Sequence, residues 1–416
     1  MRHELDIYPP IQGKQISIKS WCDRLEEGAL LQAYNLALHP TTVFHVALMP
    51  DCHQGIGMPI GGVIACKDAV IPNAVGVDIG CGMAFIRTGV DVSAVKGVST
   101  PNGELIHTIM HTIERNIPVG FAHHKAPQES PLLDNPPENV QHIGIVLDQL
   151  ERGYYQMGTL GGGNHFIECQ QDEDGNLCIM LHSGSRNFGY NIAKYFNDVA
   201  STLCAKWHSH IRKVPNSKEA DLFFLPTDSQ EGQDYIDAMN FALQFASENR
   251  RLMMERSKNI LFNLIEKHVG IKTPVLEEVN IHHNFASLEN HFGKNVWIHR
   301  KGATQARKGQ MGIIPGSMGT SSYIVRGLGD RDSFESCSHG AGRIMGRKEF
   351  CRTHDIEECK KSMEGIVFSG WGKDRKGNLD FSEAPQAYKD IDEVIASETD
   401  LVEVIHKLRP LGVVKG

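Results

Sequence analysis

The chain has 416 residues, of which 41% are hydrophobic and 22% charged, the balance of an ordinary globular protein. Its net charge of −8 excludes a protein that coats nucleic acid over its whole surface, so any contact with RNA must be a local patch. Ten cysteines without a Cys-x-x-Cys pair point to reduced thiols and a cytoplasmic setting, not to a disulfide scaffold. The opening Met1-Arg-His-Glu-Leu-Asp-Ile-Tyr lacks an apolar signal core, and no apolar stretch is long enough to span a bilayer; secretion and membrane spanning are not expected.

The first 90 residues read as short strands and turns. His45-Val-Ala-Leu-Met-Pro-Asp51 is predicted as a strand that delivers Asp51 at its end. A Gly/Pro-punctuated stretch from Cys52 to Gly62 follows. Ala74-Val-Gly-Val-Asp78 is predicted as a second apolar strand ending in a carboxylate, and Met83 to Thr88 resumes β character. The Pro-rich residues 124–139 read as a surface connector. Residues 191–213 and 233–268 carry helical spacing: Ile192, Tyr195, Phe196, Val199 and Leu203 in the first, Ile236, Met239, Phe241, Leu243 and Phe245 in the second. Plain core packing explains most of that pattern. β-rich segments return from 296, then a charged segment over 347–380 and a helix around 389–408. No internal repeat appears. Candidate site residues run from 51 to 415, so residues 1–416 are expected to form a single catalytic domain with a helical insertion around 190–270.

Gly76-Val-Asp78-Ile-Gly-Cys81-Gly sets a hard carboxylate and a soft thiolate three residues apart among glycines. Alone, this reads more readily as a turn Asp beside a buried structural Cys. The next cluster adds weight. Gly161-Gly-Gly-Asn-His165-Phe-Ile-Glu168 and Leu177-Cys-Ile-Met-Leu-His182 are short apolar runs joined by an Asp/Gly turn, a hairpin signal. A turn centred on 173–175 sets His165 opposite His182, within two residues, and paired hairpin residues lie about 5 Å apart. Asn280-Ile-His282-His283-Asn284 adds one further ligand, and the spacing does not choose between its two histidines. Nitrogen and oxygen donors with one thiolate suit Zn²⁺, Mn²⁺, Co²⁺ or Ni²⁺ rather than Ca²⁺. Pro315-Gly-Ser317-Met-Gly-Thr-Ser321-Ser322 is a loop whose amides and hydroxyls can hold phosphate oxygens, although such loops are usually only turns. His339 sits among small residues in Ser336-Cys-Ser-His339-Gly-Ala-Gly-Arg343. Arg186, Arg343 and Arg347 are candidate phosphate clamps.

Along nearly its whole length the sequence resembles the RtcB family of GTP-dependent RNA ligases. The stretches that carry the likeness are Met49-Pro-Asp-Cys-His-Gln-Gly, Val75-Gly-Val-Asp-Ile-Gly-Cys-Gly, Gly158-Thr-Leu-Gly-Gly-Gly-Asn-His-Phe-Ile-Glu, Leu181-His-Ser-Gly-Ser-Arg, His282-His-Asn, Ile314-Pro-Gly-Ser-Met-Gly, Ser338-His-Gly-Ala-Gly-Arg, Ala387-Tyr-Lys-Asp-Ile-Asp and the terminal Val-Lys-Gly. The resemblance implies an α+β fold, a β-sandwich-like core of mixed sheets surrounded by helices. It implies two Mn²⁺ ions held by Asp78, a bridging Cys81, His165, His182 and His283. It further implies that His339 is the nucleophile that carries GMP from GTP. Glu168 and Lys415 would read the guanine, Tyr388 would line the pocket, and Asn164, Ser317, Ser322 and Ala341 would contact the nucleotide. Asp51 and Arg186 match positions linked to the RNA ends. The implied substrates are RNA 2′,3′-cyclic phosphate or 3′-phosphate ends and 5′-hydroxyl ends, as arise in RNA repair or tRNA splicing. Cys52 and Met58 depart from the family pattern beside the expected entrance, which bears on substrate preference. The chain is of the shorter kind, and an accessory activator is not assumed. A metallo-phosphoesterase would share the metal residues but leaves His339 and Lys415 without a task. A non-catalytic RNA-binding subunit has no need of five filled ligand positions.

Overall fold

The computed structural model describes residues 16–207, 221–373 and 377–416. Its strands are β1 (Ser17–Ser20), β2 (Thr42–Ile56), β3 (Met58–Cys66), β4 (Gly82–Asp91), β5 (Phe166–Gln171), β6 (Asn176–Ser183), β7 (Val275–His282), β8 (Asn284–His291), β9 (Lys294–Lys301), β10 (Met311–Ile314), β11 (Ser322–Gly327) and β12 (Val402–Lys415), with several two- and three-residue pieces. The main helices are α1 (Glu27–Ala37), α2 (Leu105–Asn116), α3 (Gly144–Gln156), α4 (Arg186–Lys206), α5 (Gln230–Val269) and α6 (Ile391–Ser397).

Two mixed sheets make the core. The smaller runs β1-β2-β3-β9-β8 and the larger β7-β4-β6-β5-β12-β11-β10, with Val367–Phe368 added beside β12. The larger sheet curls into a nearly closed barrel. Met83, Phe85, Met180, Ile313, Ile324 and Leu408 fill its inside, while Ala84, Ile86, Ile167, Ile179 and Leu181 on the other face pack under α2 and α5. That is the period-two alternation of a strand buried on both sides. The smaller sheet follows the same rule. Ala47 and Met49 of β2 meet Tyr323 and Val325 of the larger sheet, and Val46 and Leu48 face α1. This is the expected α+β, sandwich-like core with helices outside.

Several elements differ from the sequence expectations. Asp51 lies within β2 rather than at its end, because the pairing with β3 breaks between Leu48 and His53 and the strand continues to Ile56. Ala74–Asp78 is not a strand. Pro72, with its fixed φ, opens a single helical turn, and Gly76 at φ 93° ends it. α4 starts at Arg186, five residues before the expected start, and residues 208–213 lie outside the described residues, as do Met1 to Tyr8. β structure resumes at Val275 rather than 296. The expected helix over 389–408 is a short α6 followed by the long strand β12, which pairs with β11 and β5. The 124–139 connector is mostly exposed, yet Ser130 caps a turn of helix at Pro131–Asp134 and Leu133 is buried. Cys52 and Met58 do not border an entrance; both side chains are fully buried beneath α1.

Candidate metal centre and nucleophile

Four neighbouring strands bring their ends together at one rim of the barrel. Gly82 pairs with His282 of β7 and with Ser183 of β6, and His182 pairs with Phe166 of β5. Cys81, His165, His182 and His283 therefore meet although 202 residues of chain separate the first from the last. The hairpin turn sits where the sequence put it. Gly175 adopts φ 91°, and the Asn176 amide donates to Asp172 Oδ1 at 2.7 Å. His165 is one residue from direct opposition to His182.

The donor atoms converge. Cys81 Sγ lies 3.4 Å from His165 Nε2 and 3.2 Å from His182 Nε2. His182 Nε2 is 3.2 Å from His283 Nε2, and His165 Nε2 is 3.2 Å from Asp78 Oδ2. Two triads result, Asp78–Cys81–His165 and Cys81–His182–His283, each with its donor atoms within 4.8 Å of one another, and Cys81 belongs to both. The tautomers suit this. His165 Nδ1 donates to the Leu160 carbonyl at 2.9 Å and His182 Nδ1 to that of Asn164 at 3.1 Å, so both Nε2 lone pairs point inward. Burial holds His182 and His283 far below the ordinary histidine value, as neutral imidazoles. Burial, with Asp78 beside it, raises the Cys81 thiol well above its usual value. Facing imidazole lone pairs, a carboxylate and a thiol that a bound ion would deprotonate fit divalent cations with bonds of about 2.0–2.3 Å. His282 points elsewhere: its Nδ1 meets Arg250 Nη2 at 3.0 Å.

His339 stands next to this cluster, its ring centroid 4.8 Å from that of His283. Nδ1 donates to Asp51 Oδ2 at 2.6 Å, and the His339 backbone N–H donates to the same oxygen at 3.1 Å. The proton is thereby fixed on Nδ1 and Nε2 is left bare. Gly302, at φ 59°, must be glycine: an added Cβ would collide with Ile60 and lie 3.0 Å from His339 Cε1.

Arg186 borders the metal residues, with Nε on Thr159 Oγ1 and Nη2 on the Gly120 carbonyl, both at 3.2 Å. Its φ of 57° is a strained backbone, of the kind found at working sites. The nucleotide candidates form a second group. Glu168 accepts from Gln170 at 2.7 Å, and Gln170 also donates to Ser322 Oγ at 3.2 Å. Burial pushes the Glu168 carboxyl up to about 7. Lys415 lies 3.2 Å from Glu383 Oε2, and burial lowers its ammonium below the usual value. Tyr388 donates to Glu383, Ser317 bonds Thr320, and Ala341 is buried in a cluster against which Tyr388 packs. Asn164 offers its carbonyl to His182 and leaves its side chain exposed. Arg343 and Arg347 are not open cations: both bind Glu383, at 3.1 Å and 2.7 Å.

Three residues escaped the sequence reading. Glu383 gathers Arg343, Arg347, Tyr388 and Lys415. Asn249 and Arg250 lie on α5, fully buried. Arg250 donates to the Gly80 carbonyl at 2.8 Å, to that of Ser183 at 3.0 Å and to Asn280 Oδ1 at 2.8 Å. Asn249 spans the Gly158, Thr159 and Gly184 backbone. A signal existed for Asn249, a polar residue in the helical stripe Ala242, Ala246, Met253.

A family model described as tRNA-splicing ligase RtcB matches residues 32–145 and 138–416. RNA-splicing ligase RtcB of Escherichia coli (strain K12) is 39% identical, covering 98% of this chain and 100% of that protein. tRNA-splicing ligase RtcB of Nanoarchaeum equitans is 31% identical over 94% of this chain and 92% of its own. RNA-splicing ligase RtcB of Mycobacterium tuberculosis is 29% identical over 93% of this chain and 100% of its own. With a match that reaches from residue 32 to the last residue, and relatives aligned over nearly their full lengths, this chain belongs to the RtcB family.

Proposed function

We propose that this protein is a manganese- and GTP-dependent RNA ligase that joins a 2′,3′-cyclic phosphate or 3′-phosphate to a 5′-hydroxyl, in RNA repair or tRNA splicing. The observation that carries the reading is the Asp51–His339 pair, which leaves Nε2 bare next to a convergent donor cluster. His339 Nε2 forms a bond to the α-phosphorus of GTP as pyrophosphate leaves. Asp51 keeps the proton on Nδ1 and offsets the positive charge that develops on the ring. After water has opened any cyclic phosphate, a 3′-phosphate oxygen takes GMP from His339, and the P–N bond breaks. The RNA 5′-hydroxyl then attacks the activated 3′-phosphorus and expels GMP.

Asp78, Cys81, His165, His182 and His283 would hold two Mn²⁺ ions, which supply charge neutralisation on the phosphates. Glu168, with a carboxyl that titrates near 7, and Lys415 are assigned to the guanine edge. Tyr388, Ser317, Ser322, Ala341 and Asn164 are assigned to the rest of the nucleotide, and Arg186, with Asp51, to the RNA ends. Ligands drawn from residues 78 to 283 and a nucleophile at 339 support one catalytic unit over 1–416, with the helices of 190–270 as an insertion. All ten cysteines are unpaired, which supports work in the reducing cytoplasm. The test is incubation with α-labelled GTP and Mn²⁺. An acid-labile protein–GMP adduct that disappears in His339→Ala is expected; an adduct that survives in that variant defeats the reading.

A further inference from the structure

A cleft of about 510 Å³ lies between the last turns of α3 and the first of α4. Arg152, Tyr155 and Gln156 line it from α3, Asn187 and Tyr190 from α4, and His123 from the preceding loop. Asn187 follows Arg186 directly, so the cleft begins where the candidate RNA-end residue stands.

Three features equip it for a nucleotide. The first turn of α4 borders the cleft through Asn187. Ser185 makes no side-chain cap there, because its hydroxyl donates to the Ile79 carbonyl, and α4 is 21 residues long. Its leading amides and dipole favour a phosphate. Gln156 lines the same cleft; it is 2% exposed, and its Oε1 is buried without a hydrogen-bond partner. A buried amide oxygen in that state calls for a donor such as a base amino group or a hydroxyl. Tyr190 is 45% exposed and Tyr155 half-buried, next to the exposed Arg152. Aromatic faces interleaved with arginine are how single strands are held without reading their sequence.

We propose that this cleft is a nucleotide subsite for the RNA strand, with one phosphodiester between Arg152 and the start of α4 and one base stacked on Tyr190. The strand then enters past Arg186, and an overall acidic protein gains RNA affinity from one local patch. The subsite rests on the ligase reading for its ligand but not for its geometry.

The test measures binding of a short single-stranded RNA with a 5′-hydroxyl by fluorescence anisotropy, alongside self-guanylylation of the same preparations. Tyr190→Ala should weaken RNA binding by about tenfold and Tyr190→Phe should restore it. Arg152→Ala should lower the slope of log affinity against log salt by about 0.7. Guanylylation should stay at the unsubstituted rate in all three. RNA affinity and salt slope unchanged in Tyr190→Ala and Arg152→Ala would overturn the subsite. Loss of affinity in Arg152→Ala with none in Tyr190→Ala means a bare anion site, and also overturns it. Absence of guanylylation in the unsubstituted protein defeats the ligase reading instead, and the anisotropy still decides the cleft.

Discussion

Asp51 and His339 are 288 residues apart in the chain, yet one carboxylate oxygen of Asp51 accepts both the ring Nδ1–H and the backbone N–H of His339, at 2.6 Å and 3.1 Å. Holding ring and backbone through one oxygen fixes the tautomer and the direction of Nε2 together. Asp51→Asn keeps the shape but can present an N–H to Nδ1, which moves the proton to Nε2. The rate of His339 guanylylation should fall by about 10²- to 10⁴-fold with Mn²⁺ binding unchanged, as read by single-turnover labelling and calorimetry.

Lys389 supports that pair from behind. Its ammonium donates to the carbonyls on either side of Asp51, Pro50 at 3.2 Å and Cys52 at 2.7 Å, and its backbone N–H bonds the Gly342 carbonyl at 2.9 Å. Lys389→Met should slow guanylylation by about tenfold through misplacement of Asp51. The signature is a lower kcat with KM for GTP unchanged and the same Mn²⁺ affinity. An unaltered rate in a folded variant would refute the link.

Arg250 ties the Gly80, Ser183 and Asn280 segments, each next to metal residues, to one buried guanidinium. Burial lowers it only to about 10, so it stays charged at neutral pH. Arg250→Lys keeps the charge but loses the planar fork. Mn²⁺ affinity should weaken by about 10- to 100-fold, and the absorption bands of the Co²⁺-loaded protein should shift. Unchanged bands in a folded variant would limit Arg250 to general stability.

Removing metal should destabilise the fold, because an ion that binds only the assembled donor set favours the folded state. Dialysis against EDTA should lower Tm; returning Mn²⁺ to roughly 100 times its Kd should add about 2.7 kcal/mol for each ion bound. Cys81→Ala should erase most of that gain.

Away from the site, Glu289 pairs with Arg300 in the core, at 2.5 Å and 3.1 Å, and accepts from His291 at 3.0 Å. Glu335 lies near enough to make a third metal-like triad, but Arg300 already supplies the positive charge. Burial alone would raise the Glu289 carboxyl; Arg300 and the hydrogen bonds outweigh it and hold the group well below its ordinary 4.5. Its folded value is depressed, so its stabilisation is present above pH 4.5 and is lost as pH falls through and below that value. Glu289→Gln, which strands a buried guanidinium, should cost about 3–5 kcal/mol at pH 7. The Tm gap between the two proteins should narrow as the medium is acidified below pH 4.5.

What the sequence determined alone is what local chemistry dictates. The Asp172–Gly175 turn sets the hairpin register and so brings His165 and His182 together. The apolar spacing of Ile236, Met239 and Phe245 makes a helix. Local rules erred where neighbours decide: Pro72 turned an apolar run into a helical turn, and pairing with β11 and β5 drew Val402–Lys415 into one strand. Only the tertiary structure decided that four strand ends share a rim, that Asp51 lies against His339, and that Arg250 reaches three separate segments of chain. Strand order and the reach of a buried side chain depend on contacts between residues hundreds of positions apart, and no periodicity along the chain records them.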